Sequence, residues 1–332
     1  MAAVSDDHLT RSGRRVIGVD LGGTKLAVGL VDERLALLGE AISPTVTDSA
    51  EACLTDLYER LGAALERFAP VDAVGVGAPS MVDFASGRLI DSVNLPLADL
   101  PLRDLLRDRF GLPVALDNDA NVACLAEHRF GAGRGASEMI MLTVGTGVGG
   151  GIITRGALYR GVSGAAGELG HMSIAFDGPP NGGGCPNFGC LETYASGRAI
   201  AERAERMADD EPASALARTR AGGERLGGEV VTRLAIAGDP RARAVLAEIG
   251  RFLGIGIASY VNIFNPEVVV IGGGCSAAGD LLLEPARRVV AERALRPQRE
   301  QVRIVQALFG REAGIVGAAA LAVSELFQDG AE

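Results

Sequence analysis

The 332-residue sequence has no tryptophan, only 4% aromatic residues, three histidines and a single lysine, Lys25. Its core must therefore be aliphatic, and 48% hydrophobic residues are enough to build a large one, while 22% charged residues keep the surface hydrated. Basic surface is scarce as well. A formal net charge of −10 disfavours nucleic acid or an anionic membrane as the main partner, because either needs a basic face that displaces counterions. No Walker A loop is present, nor a strand-linked G-x-G-x-x-G followed by a ribose-binding carboxylate, which argues against a P-loop NTPase and against a dinucleotide dehydrogenase. The opening segment MAAVSDDHLTRSGRR lacks the apolar core of a secretory signal, and no apolar run reaches the roughly 18 residues of a membrane span. Five cysteines, an odd and scattered set, point to a reducing cytoplasm and against a disulfide between Cys185 and Cys190. The lone lysine accompanies a richness in Arg, Ala and Gly that reads as coding bias.

What is there has the order of an α/β protein, and the length suits two lobes. RRVIGVDLGGTKLAVGLVD is two apolar runs, 16–21 and 26–31, joined by a Gly-Gly-Thr-Lys turn, and LALLGEAIS supplies a third strand. From Asp48, apolar residues at Leu54, Leu57, Leu61, Leu65 and Phe68 follow a helical period, and the strand VDAVGVGAP comes next. PVALDND is a strand ending in carboxylates, ANVACLAEHRF a helix, and EMIMLTVGTGVGGGIITRG repeats the strand–glycine turn–strand pattern after about 120 residues. Helices are expected over 191–207, 229–237 and 239–264. The stretch DDEPASALARTRAGGERLGG reads as a mobile surface connection, and VVVIGGG, VRIVQAL and GIVGAAALAVSEL as strand, strand and small-residue helix. The repeated pattern implies two related lobes facing each other over a ligand-binding cleft. The expected division is 1–119 for the first lobe and 120–313 for a larger second lobe, with a C-terminal helix at about 314–328 packing on the first.

Glycine turns present several backbone N–H groups to one anion, because residues without Cβ allow close approach and positive φ, and phosphate is the natural guest. Two such turns could grip a triphosphate from both sides, with Lys25 adding charge to the first. Either turn alone is equally well a tight hairpin. In LDNDAN the strand ends at Asp117, and Asn118 and Asp119 precede a helix. Such residues are either helix caps or the carboxylate and amide of a reactive site. Glu168 and Glu192, taken alone, are surface carboxylates.

GVDLGGTKLAVGLVD, LDNDANVACLAE, TVGTGVGGG, GVSGAAGELGHM and GCLETYASG together resemble the motifs of the ROK family (repressors, open reading frames, kinases). Its kinases have two ribonuclease-H-like lobes of the actin-like superfamily. The resemblance runs from about Val16 to the C-terminus and implies an ATP- and Mg2+-dependent sugar kinase, glucose being the first candidate substrate. N-acetylhexosamine or fructose kinases are same-class alternatives, and a sugar-sensing regulator is one of another class. Fifteen residues precede Val16, too few for the helix-turn-helix module such a regulator would carry. By the same resemblance Asp119 is the catalytic base, and Asn94, Asn118, Asp119, Glu168, His171 and Glu192 are sugar ligands. Asp20, Gly22, Gly23, Thr24, Lys25, Thr146, Gly147, Gly273 and Gly274 are placed at the nucleotide and its Mg2+. Asp83 reads as structural, and Ser80 stands where the family usually has glycine. A homodimer or homotetramer is also implied, with no nucleic-acid or membrane partner.

The stretch NGGGCPNFGCLE resembles the family's zinc loop, C-x-C-G-x-x-G-C-x-E preceded by a histidine. His171, Cys185 and Cys190 stand in matching places. The fourth ligand is missing: one alignment puts Gly183 at the first cysteine, and a longer variant puts Asn181 there. Structural zinc wants four N or S donors. Either Zn2+ is held by this incomplete set with help from water or another side chain, or packing and hydrogen bonds hold the loop without metal.

Overall fold

The computed structural model describes residues 13–327, apart from positions 33, 93 and 183. Two compact units result. The first takes the chain up to Arg129, returns for Arg160–Ala166 and resumes at Glu312; the second comprises Phe130–Tyr159 and Gly167–Arg311.

In the first unit the strands β1 (Val16–Leu21), β2 (Lys25–Val31) and β3 (Leu37–Pro44) form an antiparallel meander, and helix α1 (Ala50–Phe68) follows. β4 (Ala73–Ala78), the short pair β5 (Met81–Asp83) and β6 (Arg88–Asp91), helix α2 (Leu102–Phe110), β7 (Val114–Asn118) and helix α3 (Asp119–Phe130) come next. The main sheet runs β3-β2-β1-β4-β7, with β1, β4 and β7 parallel. α1 begins at Ser49, whose hydroxyl accepts the Ala52 N–H, and buries Cys53, Leu57, Leu61 and Ala64. Leu54, Leu65 and Phe68, expected on the same stripe, pack at its margin.

The second unit repeats this plan. β8 (Met139–Val144), β9 (Val148–Thr154) and β10 (Ala157–Leu158) are antiparallel. After helices α4 (Leu191–Ala195), α5 (Gly197–Asp210), α6 (Ala215–Ala221), α7 (Gly228–Ile236) and α8 (Pro240–Phe264) comes β11 (Val268–Gly272). Helix α9 (Asp280–Arg293) leads to β12 (Arg303–Gln306), and the sheet order β10-β9-β8-β11-β12 keeps β8, β11 and β12 parallel.

Four expectations need correction. The helix over 191–207 is two helices, broken at Ser196, whose extended backbone and hydroxyl cap α5. The expected mobile connection contains α6, capped by Ser214. α8, 25 residues long and containing an 18-residue stretch of mean hydropathy 1.5, meets the length and composition of a membrane span, although no such run was expected. It is nevertheless a core helix: Gly250 and Gly254 let it lie directly against the α9 backbone at Leu282 and Ala286. Lastly, α3 lies largely in the first unit rather than beyond a boundary at residue 119. The reason is contact with the C-terminal helix Ala313–Leu326, where Gly317 sits against the Val122 carbonyl.

That C-terminal helix also lies backbone to backbone on the first sheet. A Cβ at Gly18 of β1 would overlap the Ile315 carbonyl oxygen, and one at Gly75 of β4 the Ala318 carbonyl oxygen. Overpacking of this kind costs about 1–3 kcal/mol or more. Gly75→Ala is expected to lower the unfolding free energy by that amount, and the urea midpoint with it. Gly62→Ala, inside α1 with only the Phe110 ring 3.7 Å away, should raise stability by about 0.5–1 kcal/mol by removing helix-interior glycine. Equilibrium unfolding of the two variants checks both signs.

Candidate functional site

In the first unit, Asp117 is the penultimate residue of β7 and is fully buried. Burying a carboxylate is costly unless it is paired and hydrogen-bonded. Here one oxygen accepts the Asn118 N–H at 2.7 Å and the Asn121 amide at 2.8 Å, and the other accepts Arg160 Nε at 2.7 Å. Arg160 in turn lies 3.7 Å above the Phe84 ring and donates to Glu325 at 3.0 Å. Asn118 is a helix cap: its side-chain oxygen accepts the N–H groups of Ala120 and Asn121, while its amide donates to the Ser80 carbonyl at 3.2 Å. Asp119 is the first residue of α3, half-buried, with Oδ1 on the Ala120 N–H at 2.8 Å. Ser80 is buried, and its hydroxyl serves the carbonyls of Met81 and Asp91. Asp83 accepts from Ala85 and Ser86, and the Ser86 hydroxyl and amide hold its carboxyl below the usual aspartate range, which is turn chemistry.

The first glycine turn is closed by Gly22 N–H to the Lys25 carbonyl at 2.9 Å, and Thr45 braces it with its hydroxyl on the Gly22 carbonyl at 2.6 Å. Neither Gly22 nor Gly23 uses positive φ, and close approach is what excludes a side chain. A Cβ at Gly23 would lie 2.6 Å from the Cβ of Asn94, so the structure does bring Asn94 to this turn. Lys25 Nζ pairs with Asp20 at 3.2 Å. The Asp20 carboxylate also lies against Gly314, in the first turn of the C-terminal helix, where negative charge is favoured. Burial raises its pKa above the usual aspartate value, and Lys25 opposes that rise.

In the second unit, the turn holding Thr146 and Gly147 is clamped by Glu192. One carboxylate oxygen accepts the Val148 N–H at 2.8 Å and fills the space a Cβ on Gly147 would need. The break between α4 and α5 completes the clamp, because the Gly197 N–H donates to the Gly145 carbonyl at 2.7 Å. Gly273, after β11, has φ +80° and lies 2.5 Å, measured from a built Cβ, from the Val144 carbonyl oxygen, so only glycine fits there. Gly274 opens the short 3-10 helix that follows, with open space where a side chain would project.

Glu168 is exposed and immediately precedes the 3-10 helix Leu169–His171. His171 Nε2 lies 3.6 Å from its Oε2. The ligand atoms of His171, Cys185 and Cys190 fall within 4.8 Å of one another. The buried carboxamide of Asn181 lies 3.0 Å from His171 Nδ1; Gly183, the other residue aligned with the missing ligand, lies outside the described residues. Burial, reinforced by the adjacent Cys185, pushes the Cys190 thiol above the usual range, and its sulfur donates to the His171 carbonyl at 3.4 Å. A closed tetrahedral zinc site needs four strong donors, and three plus an amide do not fit it. Among the described residues no cysteine forms a disulfide.

Arg160 and Arg198 are the site residues that the sequence left without a role, and Asn181, aligned there with a missing zinc ligand, is a hydrogen-bond partner instead. Arg160 lies 43 residues from Asp117, and no local spacing connects them. Removing one member of a buried ion pair costs about 3–5 kcal/mol. Arg160→Met is expected to lose that much in urea unfolding, whereas Arg88→Met, which breaks an exposed pair with Asp99, should change stability by less than about 1 kcal/mol.

The glucokinase of Halalkalibacterium halodurans is 36% identical over 92% of this chain and 94% of its own. A putative xylose repressor of a Caldicellulosiruptor species is 34% identical over 94% of this chain and 78% of its own. Among solved structures, a ROK family glucokinase from Streptomyces griseus in complex with glucose and AMPPNP superposes with a TM-score of 0.85 at 37% identity, covering 93% of this chain and 99% of that one. The α/β fold is thus that of the ROK glucokinases. The ROK family model matches residues 16–325, and the chain belongs to the ROK family.

Proposed function

We propose that this chain transfers the γ-phosphoryl group of ATP to the 6-hydroxyl of glucose. The reading rests on the end of β7, where Asp117 and Asn118 are engaged by the scaffold and hold Asp119 at the head of α3. A sugar hydroxyl is a poor nucleophile, and a carboxylate within hydrogen-bond reach orients it and takes its proton. As the hydroxyl oxygen bonds to the γ-phosphorus, Asp119 accepts the proton and the bond from that phosphorus to the bridging oxygen breaks, releasing ADP.

Also in the first unit, the second hydrogen of the Asn118 amide and the side chain of Asn94 would meet sugar hydroxyls, and the amides of Gly22, Gly23 and Thr24 would meet phosphate oxygens. Asp20, a hard oxygen donor beside Lys25, would hold the hydrated Mg2+ that accompanies ATP and supplies positive charge to its phosphates. In the second unit, Thr146, Gly147, Gly273 and Gly274 are assigned to the nucleotide, and Glu168, His171 and Glu192 to sugar hydroxyls. The relatives' names support glucose, and a cytoplasmic location accompanies an ATP-using enzyme with no disulfide among its cysteines.

Asp119→Asn keeps the cap geometry and removes the proton acceptor. It is expected to lower kcat by about 10²- to 10⁴-fold while leaving glucose binding near wild type. A coupled assay for ADP with glucose, N-acetylglucosamine and fructose reads both the loss and the preference. Undiminished turnover would remove Asp119 from the role, and sugar binding without any ADP formation by the wild-type chain would favour a sugar-sensing regulator.

A further inference from the structure

His171, assigned above to a sugar hydroxyl, can present an N–H or a bare nitrogen at Nε2. The choice is set by what Nδ1 meets on the other side of the ring. Nδ1 meets the carboxamide of Asn181 at 3.0 Å, and that residue is 95% buried, with 5% exposure, so water competes poorly for the bond. Shape alone does not say which end of an amide faces the ring. Charge does. The other end of the Asn181 amide lies 3.3 Å from Arg198 Nη2, and a guanidinium only donates, so the amide atom facing it is the oxygen. The NH2 group therefore faces His171, Nδ1 accepts, and the ring proton is on Nε2.

Arg198 reaches further. The same Nη2 is 3.5 Å from Oε1 of Glu192, whose other oxygen holds the Val148 N–H. A continuous polar chain thus runs from His171 through Asn181 and Arg198 to Glu192 and the second glycine turn, all within the second unit.

We propose that Asn181 and Arg198 are positioning residues that fix His171 as its Nε2–H tautomer and tie it to Glu192, the task a metal on Nδ1 would perform, so that this loop is ordered without one. The inference rests on the sugar-binding reading of His171 for its functional meaning. With the proton on Nε2, the imidazole donates to a sugar oxygen, and the same hydroxyl can donate its own proton to Glu168, whose carboxylate is 3.6 Å from Nε2. An N–H of Asn181 on the Nδ1 lone pair also excludes a metal from that lone pair.

The test uses the full chain labelled with ¹⁵N-histidine. His171 is one of three histidines and is assigned by the loss of its signals in His171→Gln. The expected spectrum shows a neutral ring protonated at Nε2 with Nδ1 accepting a hydrogen bond, and elemental analysis of untreated protein finds zinc well below one per chain. Asn181→Asp has the same shape but accepts only. In chelator-treated protein it is expected to draw the proton to Nδ1 and raise the KM for hexose about tenfold or more, with a smaller change in kcat. Arg198→Ala should mix the tautomers, and Arg198→Lys should restore part of the wild-type spectrum. A wild-type ring protonated at Nδ1, one zinc per chain, or an Asn181→Asp spectrum identical to wild type each overturns the inference. The spectrum needs no turnover. If no hexose is phosphorylated yet the Nε2–H tautomer is present, the functional reading fails and the bridge stands; a working kinase with the proton on Nδ1 sinks the bridge alone.

Discussion

A single buried charge organises the first unit. Asp117 is stable at the end of β7 only because both of its oxygens are occupied, and the partners that occupy them come from separate parts of the chain. Asn118 and Asn121 belong to the strand end and to α3, Arg160 to the short segment that returns to the unit, and Glu325, beyond Arg160, to the C-terminal helix. Satisfying one carboxylate therefore holds four pieces of chain in one arrangement. Asp119 inherits its position from that arrangement, since the residue before it caps α3 and the residue before that is anchored.

The second unit solves a similar problem by different means. Its glycine turn is held from outside the hairpin by Glu192, delivered by α4, which accepts the Val148 N–H. Gly197, at the break between helices, adds a backbone bond to Gly145. The break is thus a device for bringing two backbone segments together, and Ser196 offsets its cost by capping the new helix. Both glycine turns depend on close approach rather than on left-handed backbone.

The polar loop before α4 gathers sulfur, nitrogen and amide groups around His171. Three sulfur and nitrogen donors are clustered, and beside them stands an amide that bonds the imidazole and the guanidinium together. Hydrogen bonds of this kind are individually weak in water and much stronger when one partner is buried, as Asn181 is. Arg198, more exposed at 44%, contributes orientation rather than rigidity, because its charge decides which way the amide faces.

Alternation and period were enough to read the meander at β1–β3, the helix from Ala50, the repeated strand–glycine turn–strand unit and the small-residue C-terminal helix, since each reflects local burial along a few consecutive residues. The motifs around Asp119, Gly22, Thr146 and His171 are short and contiguous as well, but spacing alone left each open between a cap, a hairpin turn or a surface loop and a binding role; only their resemblance to the ROK motifs chose between the two. Tertiary structure alone decided that Asn118 caps a helix, that α4 and α5 part at Ser196, and that α8, apolar enough to cross a membrane, is instead a core helix. It alone also paired Arg160 with Asp117 across 43 residues and set Arg198 against Asn181. These are choices among partners equally acceptable to the local chain, and a sequence records a side chain's capacity to bond but not which distant group the fold will carry to within 3 Å of it.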